Sequence, residues 1–370
     1  MSVSTARAIS PDSGTHWTEP GAWQVAPGIH RIPLPLPMDG LRAVNVYAIE
    51  TDSGLTLIDG GWAIEVSRNL LDEALGSLGR SVRDIDRFLV THVHRDHYTQ
   101  AITIRSEVGS HVSLGLGDKP TLDLIFDETL TDDPHIAMFE ACGAHDIAKL
   151  WGDFTREATP DLSIWGYPDT WLDADVEIAV GDRTLSAIHT PGHTQGHFVF
   201  ADQPAGLLFA GDHVLPTITP SIGFEPNLAE QPLGDFLGSL TKVRALPDHL
   251  LLPAHGPVAP SSHARIDELL VHHEQRLRQC RAALSSGART AYDVAHDLGW
   301  TRHETPFVRL DVFNQALATL ETRAHLELLV ARGEATSRDE SEYDGASLRL
   351  YAEGSPTHAE GSQTHDGADR

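Results

Sequence analysis

The segment Thr91-His92-Val93-His94-Arg95-Asp96-His97 constrains this 370-residue chain more than any other stretch. Three imidazoles and a carboxylate fall within six positions, directly behind the apolar, strand-like run Phe88-Leu89-Val90. Alternate side chains share a face on an extended chain, so His92 and His94 point the same way. A turn at Arg95-Asp96 then brings Asp96 and His97 round to a second point nearby. Imidazole nitrogen with carboxylate oxygen suits zinc, and also iron or manganese. Three later segments each end an apolar strand in a turn carrying a ligand-type residue: His193 in Thr190-Pro191-Gly192-His193, Asp212 after Phe209-Ala210-Gly211, and His255 after Leu252-Pro253-Ala254. Such turns are where a sheet presents reactive side chains along one edge. The five histidines and two aspartates suffice for two metal ions with one carboxylate between them.

Around this set the chain alternates strand-like and helical patterns. Short apolar runs from Ile29 to Asp59 precede a helix over 64–78, whose end is marked by Gly79. Strand-like runs resume from Val176 to Ala210, followed by a helix over 233–246 and a strand at 250–252. Strands then helix, twice over, predict two halves packed as a sandwich with outer helices. Residues 1–22 read as a loose lead-in, 23–262 as the main domain, and 118–170 as an inserted helical segment containing Trp151 and Trp165, with Trp171 directly after it. Residues 263–335 read as helix, short helix and longer helix before a hairpin near Gly333. Residues 336–370 are polar without apolar periodicity and are expected to be disordered.

Composition sets limits. A formal net charge of −26 repels polyphosphates and disfavours nucleic-acid binding. Cys142 and Cys280 match no metal spacing and cannot make a disulfide framework, which suggests a reducing compartment. There is no apolar secretory leader at the N-terminus and no run of ~18 apolar residues, so a cytoplasmic location without membrane insertion is expected. His263, His272 and His273 are expected on the surface of a long helix, and His358 and His365 in the tail without a role. His189, His197 and His213 flank the candidate ligands and are expected to brace them.

These motifs resemble the metallo-β-lactamase-fold hydrolases over residues 23–260, and 263–335 resemble the winged-helix extension of their lactamase-β-like subgroup. The resemblance implies an α/β fold, a four-layer αββα sandwich with a C-terminal helical winged-helix-like domain. It implies two divalent ions, zinc foremost: His92, His94 and His193 on the first, Asp96, His97 and His255 on the second, and Asp212 bridging. Asp59 would hold a ligand histidine in orientation. A metal-bridging hydroxide would attack the substrate, with Asp96 also handling a proton. Tyr98 and Thr99 stand where relatives often carry glycine, which is expected to narrow the mouth or add a hydroxyl without disturbing the ligands. Ester or thioester cleavage of a small or acyl substrate is the expected activity, with the tryptophans of 118–170 as an apolar wall. The alternative is a metal-dependent endoribonuclease, but the helix over 310–330 offers Arg323 against Asp311, Glu321 and Glu327, the wrong sign for phosphate. The C-terminal module is instead expected to shape the pocket or a homodimer interface.

Overall fold

The computed structural model describes residues 16–354 apart from 38–39, 158–160, 228, 288, 302 and 342–346. Strands β1 (Trp23–Ala26), β2 (Ile29–Pro35), β3 (Ala43–Glu50), β4 (Leu55–Ile58), β5 (Ile85–Leu89), β6 (His111–Gly115) and β7 (Thr170–Leu172) form one sheet in that order. The first four pair antiparallel. From β4 onward the pairs are parallel, because α1 (Glu65–Ser77) and α2 (Arg95–Val108) carry the chain back between strands. The return to β7 is made by α3 (Lys119–Ile125), α4 (Pro134–Ala141) and α5 (His145–Glu157), the helices expected in the insertion.

The second sheet runs β12-β11-β10-β9-β8, from β8 (Val176–Val180), β9 (Arg183–His189), β10 (Phe198–Asp202), β11 (Leu207–Gly211) and β12 (Leu250–Pro253). Helix α6 (Pro232–Arg244) makes the parallel crossover from β11 to β12. Tyr47, Ile58 and Leu89 of the first sheet meet Phe198, Phe200 and Phe209 of the second in one buried cluster. Leu57, Phe88 and Val112 face Leu71 and Leu75 of α1 and Ile104 of α2. On the far side Val199, Leu208 and Leu251 pack on Phe236 and Leu240 of α6. The layers are therefore helix, sheet, sheet, helix, as the alternating patterns predict.

The chain continues into α7 (Ser262–Ala283) and α8 (Ala291–Asp297), the latter opened by the reciprocal Thr290–Asp293 capping box. A short pairing of β13 (Gly299–Trp300) with β14 (Thr305–Pro306) leads to α9 (Val312–Ala331). Leu277 of α7 and Leu326 of α9 join the same buried cluster as the second sheet.

Three expectations are corrected. Residues expected to begin the disordered tail form β15 (Ala335–Ser341) and β16 (Ser347–Glu353), an antiparallel hairpin. It is held because Tyr351 is buried and its hydroxyl donates to Glu327 Oε1 at 2.6 Å; 355–370, with His358 and His365, lie outside the described residues. The lead-in is anchored at Trp17, which is buried and whose carbonyl accepts from the Arg31 guanidinium. His273, expected on the surface, is fully buried, while His272 is half-buried and His263 bonds the Leu246 carbonyl. Trp165 and Trp171 pack against the first-sheet cluster, and Trp151 belongs to an aromatic group with Phe139 and Phe224. Among the described residues no helix is long and apolar enough to cross a membrane.

Candidate metal centre

The strand ends of both sheets converge on one spot. Beyond β5, His94 is the N-cap of α2, which begins at Arg95. Asp96 and His97 thus sit in the first turn of a helix rather than in a loop turn, and a carboxylate there is favoured by the free N–H groups. His193 follows β9, Asp212 follows β11 and His255 follows β12.

The inner atoms close on one another. His94 Nδ1 lies 3.0 Å from His92 Nε2 and 3.1 Å from His193 Nε2. Asp212 stands between two groups, with Oδ2 3.5 Å from His193 Nε2 and Oδ1 3.6 Å from His97 Nε2 and 3.4 Å from His255 Nε2. Asp96 Oδ2 lies 3.5 Å from His97 Nε2 and 3.4 Å from His255 Nε2. His92, His94 and His193 form one set able to hold an ion, and Asp96, His97 and His255 another.

The outer atoms explain which nitrogen faces inward. His97 Nδ1 donates to Asp59 Oδ2 at 2.9 Å, His193 Nδ1 to the Ser221 carbonyl at 2.8 Å and His255 Nδ1 to the Ala43 carbonyl at 2.8 Å. His94 Nε2 donates to Glu225 Oε1 at 2.8 Å. Thr91 Oγ1 donates to Asp59 Oδ2 at 3.0 Å, so it accepts from His92 Nδ1 at 3.1 Å. In the neutral rings these bonds direct each proton outward and leave the inner nitrogen to present a lone pair to an ion. Lone pairs about 3 Å apart repel unless a cation lies between them, and His97 Nε2, His255 Nε2 and Asp212 Oδ1 are buried with no hydrogen-bond partner. The donor set fits metal ions.

Asp59 stands where an orienting residue is expected. It adopts φ of +62°, a left-handed conformation that Asp tolerates better than most residues, and its Oδ1 also accepts the Thr91 amide at 2.7 Å. The flanking histidines brace the turns: His197 Nε2 accepts the Asp212 amide at 3.2 Å, His189 Nε2 bonds the Gln195 carbonyl, and buried His213 packs on Phe236. Tyr98 does not narrow the mouth. It is buried, its hydroxyl donating to the Gly166 carbonyl at 2.6 Å, while the Thr99 hydroxyl donates to the Arg95 carbonyl.

Two carboxylates escaped the sequence reading. Buried Glu225 accepts from His94 and from the Thr121 hydroxyl at 2.9 Å, so a loop residue and the inserted helix α3 jointly orient a candidate ligand. Asp118, just before α3, accepts the Val93 amide at 2.9 Å and the Gly196 amide at 2.7 Å, tying two ligand-bearing loops together. Burial, aided by Glu225, pushes the Asp118 carboxyl up to about 7. A single carboxylate far from the motifs has no spacing signature; only its carboxylate chemistry beside a long insertion could have drawn attention. Replacing Glu225 by Gln leaves His94 without its charged acceptor and should weaken metal affinity about 10- to 100-fold in chelator competition. An unchanged affinity would show that His94 needs no such partner.

Electrostatics link these groups to protons. Burial alone would lower His97, but Asp96, Asp59 and Asp212 outweigh it and lift the metal-free imidazole to about 10. His97 is then protonated at pH 7.5, and an ion taking Nε2 must displace that proton. Metal uptake should therefore release protons, the one on His97 among them, and weaken as pH falls. Calorimetry in buffers of different ionisation enthalpy reads this directly; heats independent of buffer would contradict it.

The family model for the metallo-beta-lactamase superfamily matches residues 39–255, more than half of the chain. The chain belongs to the metallo-beta-lactamase superfamily. Within this superfamily, a beta-lactamase-like protein 2 homolog of Caenorhabditis elegans is 26% identical over 319 residues, covering 83% of this chain and 90% of that protein. An atrochrysone carboxyl ACP thioesterase of Aspergillus aculeatus is 35% identical over 244 residues, covering 66% of this chain and 60% of that one. A metallo-beta-lactamase family protein from Thermus thermophilus superposes with a TM-score of 0.71 at 25% identity, over 88% of this chain and 99% of that one. The superfamily's chemistry makes this chain a metal-dependent hydrolase.

Proposed function

We propose that this superfamily member is a two-ion hydrolase, zinc being the best-suited metal, that cleaves an ester or thioester of an apolar acyl substrate. The observation that carries the reading is Asp212, whose two oxygens face different sets of inward lone pairs. His92, His94 and His193 would hold one ion, Asp96, His97 and His255 the other, with Asp212 shared. When bound, such ions acidify a water and polarise the scissile carbonyl.

The chain's own residues supply the rest. Burial opposes ionisation of Asp96, but His97 and His255 outweigh it and hold the carboxyl well below the ordinary range. Its side chain is 15% exposed against 9% for Asp212, so Asp96 is the more accessible of the two carboxylates for handling a proton. An apolar trough of about 700 Å³ is lined by Pro37, Trp62, Ile64, Val66 and Leu70 among others, none of them a candidate ligand. Its wall Trp62 stacks on the Arg95 guanidinium at 4.3 Å, and Arg95 sits between His94 and Asp96 in the chain. The trough suits an acyl chain and the exposed guanidinium an anionic group on the substrate. A thioesterase among the named relatives supports the same substrate class.

The burial of α9 weighs against the endoribonuclease reading. Helix α9, which a winged-helix reading assigns to a nucleic-acid groove, is buried along most of its length after Asn314. We place 263–335 as a module that packs on the catalytic layers. A panel of acyl-CoA thioesters of increasing chain length, aryl esters, lactones and single-stranded RNA tests the proposal. Thioester or ester turnover is expected, with Trp62→Ala lowering kcat/KM for long acyl chains about 10-fold more than for short ones. RNA cleavage that disappears in Asp96→Ala, with no ester or thioester turnover, would overturn it.

A further inference from the structure

We propose that helices α7 and α9 hold a separate divalent-cation site built from His272, His273 and Glu321. None of these residues belongs to the metal centre at the strand ends. One ring nitrogen of each histidine and one carboxylate oxygen of Glu321 lie within 4.8 Å of one another. The histidines are adjacent on α7, and Glu321 lies on α9, which packs against it through Leu277 and Leu326.

Hydrogen bonding fixes which atom is available. His325 Nδ1 donates to the Glu321 carbonyl at 2.8 Å, so His325 Nε2 carries a lone pair. That lone pair accepts from His273 Nδ1 at 3.2 Å. His273 Nε2 is consequently an unprotonated nitrogen, and it is buried without a hydrogen-bond partner on a side chain with no exposed surface. A buried lone pair with nothing to accept from calls for a ligand. Among the described residues no hydrogen bond or ion pair reaches the Glu321 carboxylate either, and burial pushes it up to about 7.

The surroundings keep the imidazoles ligand-competent. Burial, with His325 and His272, holds His273 well below its ordinary value, and burial holds His325 down to about 3. Arg276 adds a nearby positive charge, but its guanidinium lies over Trp300 at 4.7 Å and donates to the Gly299 carbonyl at 3.0 Å. A dication can enter only if Glu321 ionises to offset that charge, so the site depends on the carboxylate. Two imidazoles and one carboxylate are a zinc-type donor set. An ion there would staple α7 to α9 and leave the strand-end chemistry untouched.

The test uses the full chain and zinc itself. In His92→Ala/His97→Ala/Asp212→Ala, which breaks every ligand set of the strand-end centre, dialysis against zinc and elemental analysis should leave about one zinc per chain. Adding Glu321→Gln or His272→Gln should reduce that to none. In the otherwise native chain, the same two substitutions should remove about one zinc while hydrolysis is unchanged. Failure of the first variant to retain zinc, or retention that ignores Glu321→Gln, overturns the site. Should a variant not fold, anomalous diffraction from zinc-loaded native crystals decides: a peak between α7 and α9 supports the site, and its absence there overturns it. Neither result bears on which substrate the strand-end centre cleaves.

Discussion

Replacing Asp212 with Ala should collapse both metal occupancy and hydrolysis, with activity falling by roughly 10³-fold or more. The reason is position. Its Oδ2 lies 3.5 Å from His193 Nε2, and its Oδ1 lies 3.4 Å from His255 Nε2 and 3.6 Å from His97 Nε2. Removing it takes one negative charge and two ligand oxygens from between histidines whose remaining lone pairs face one another. Asp212→Asn separates these effects, since it keeps the shape and loses the charge. Elemental analysis beside an ester assay reads both outcomes. An Ala variant with native metal content would mean that Asp212 is not shared between ions.

Gly192→Ala should produce a large loss of stability. Gly192 has φ of +137°, and a Cβ there would sit 2.5 Å from Phe236 Cα and Cβ in α6. Neither backbone can yield cheaply: Phe236 is fully buried, the Ser239 hydroxyl of the same helix donates to the Pro191 carbonyl at 2.9 Å, and the Gly192 amide donates to the Thr194 carbonyl at 3.0 Å. Left-handed strain and overlap together should cost about 4 kcal/mol, a fall in Tm on the order of 10 °C. Because the turn carries His193, metal binding should weaken as well. Thermal unfolding of the metal-free protein isolates the structural part, and an unchanged Tm would contradict the packing argument.

How much of this was legible in the chain depended on whether a residue sat in a pattern. His92, His94, Asp96 and His97 announce themselves by spacing, and His193, Asp212 and His255 by strand-end turns. The structure brings all seven together, with Asp59 behind His97. The start of α2 at Arg95 was hidden because His-Arg-Asp-His has no apolar period. Glu225 and Asp118 were invisible for another reason: each acts through long-range contacts that only the folded chain creates. His273 looked like a surface residue because its neighbours Glu274 and Gln275 are polar, yet α9 covers it. The β16 hairpin strand did carry a signal, the alternation Leu348, Leu350 with Tyr351, which the polar composition around it outweighed.

The central claim is a centre that holds two ions about Asp212. Anomalous diffraction from zinc-loaded crystals of the Glu321→Gln variant tests it without contribution from the helical site. Two peaks flanking Asp212 are the expected result, one against His92, His94 and His193 and the other against Asp96, His97 and His255. A single peak, or none, at full zinc loading would contradict the account.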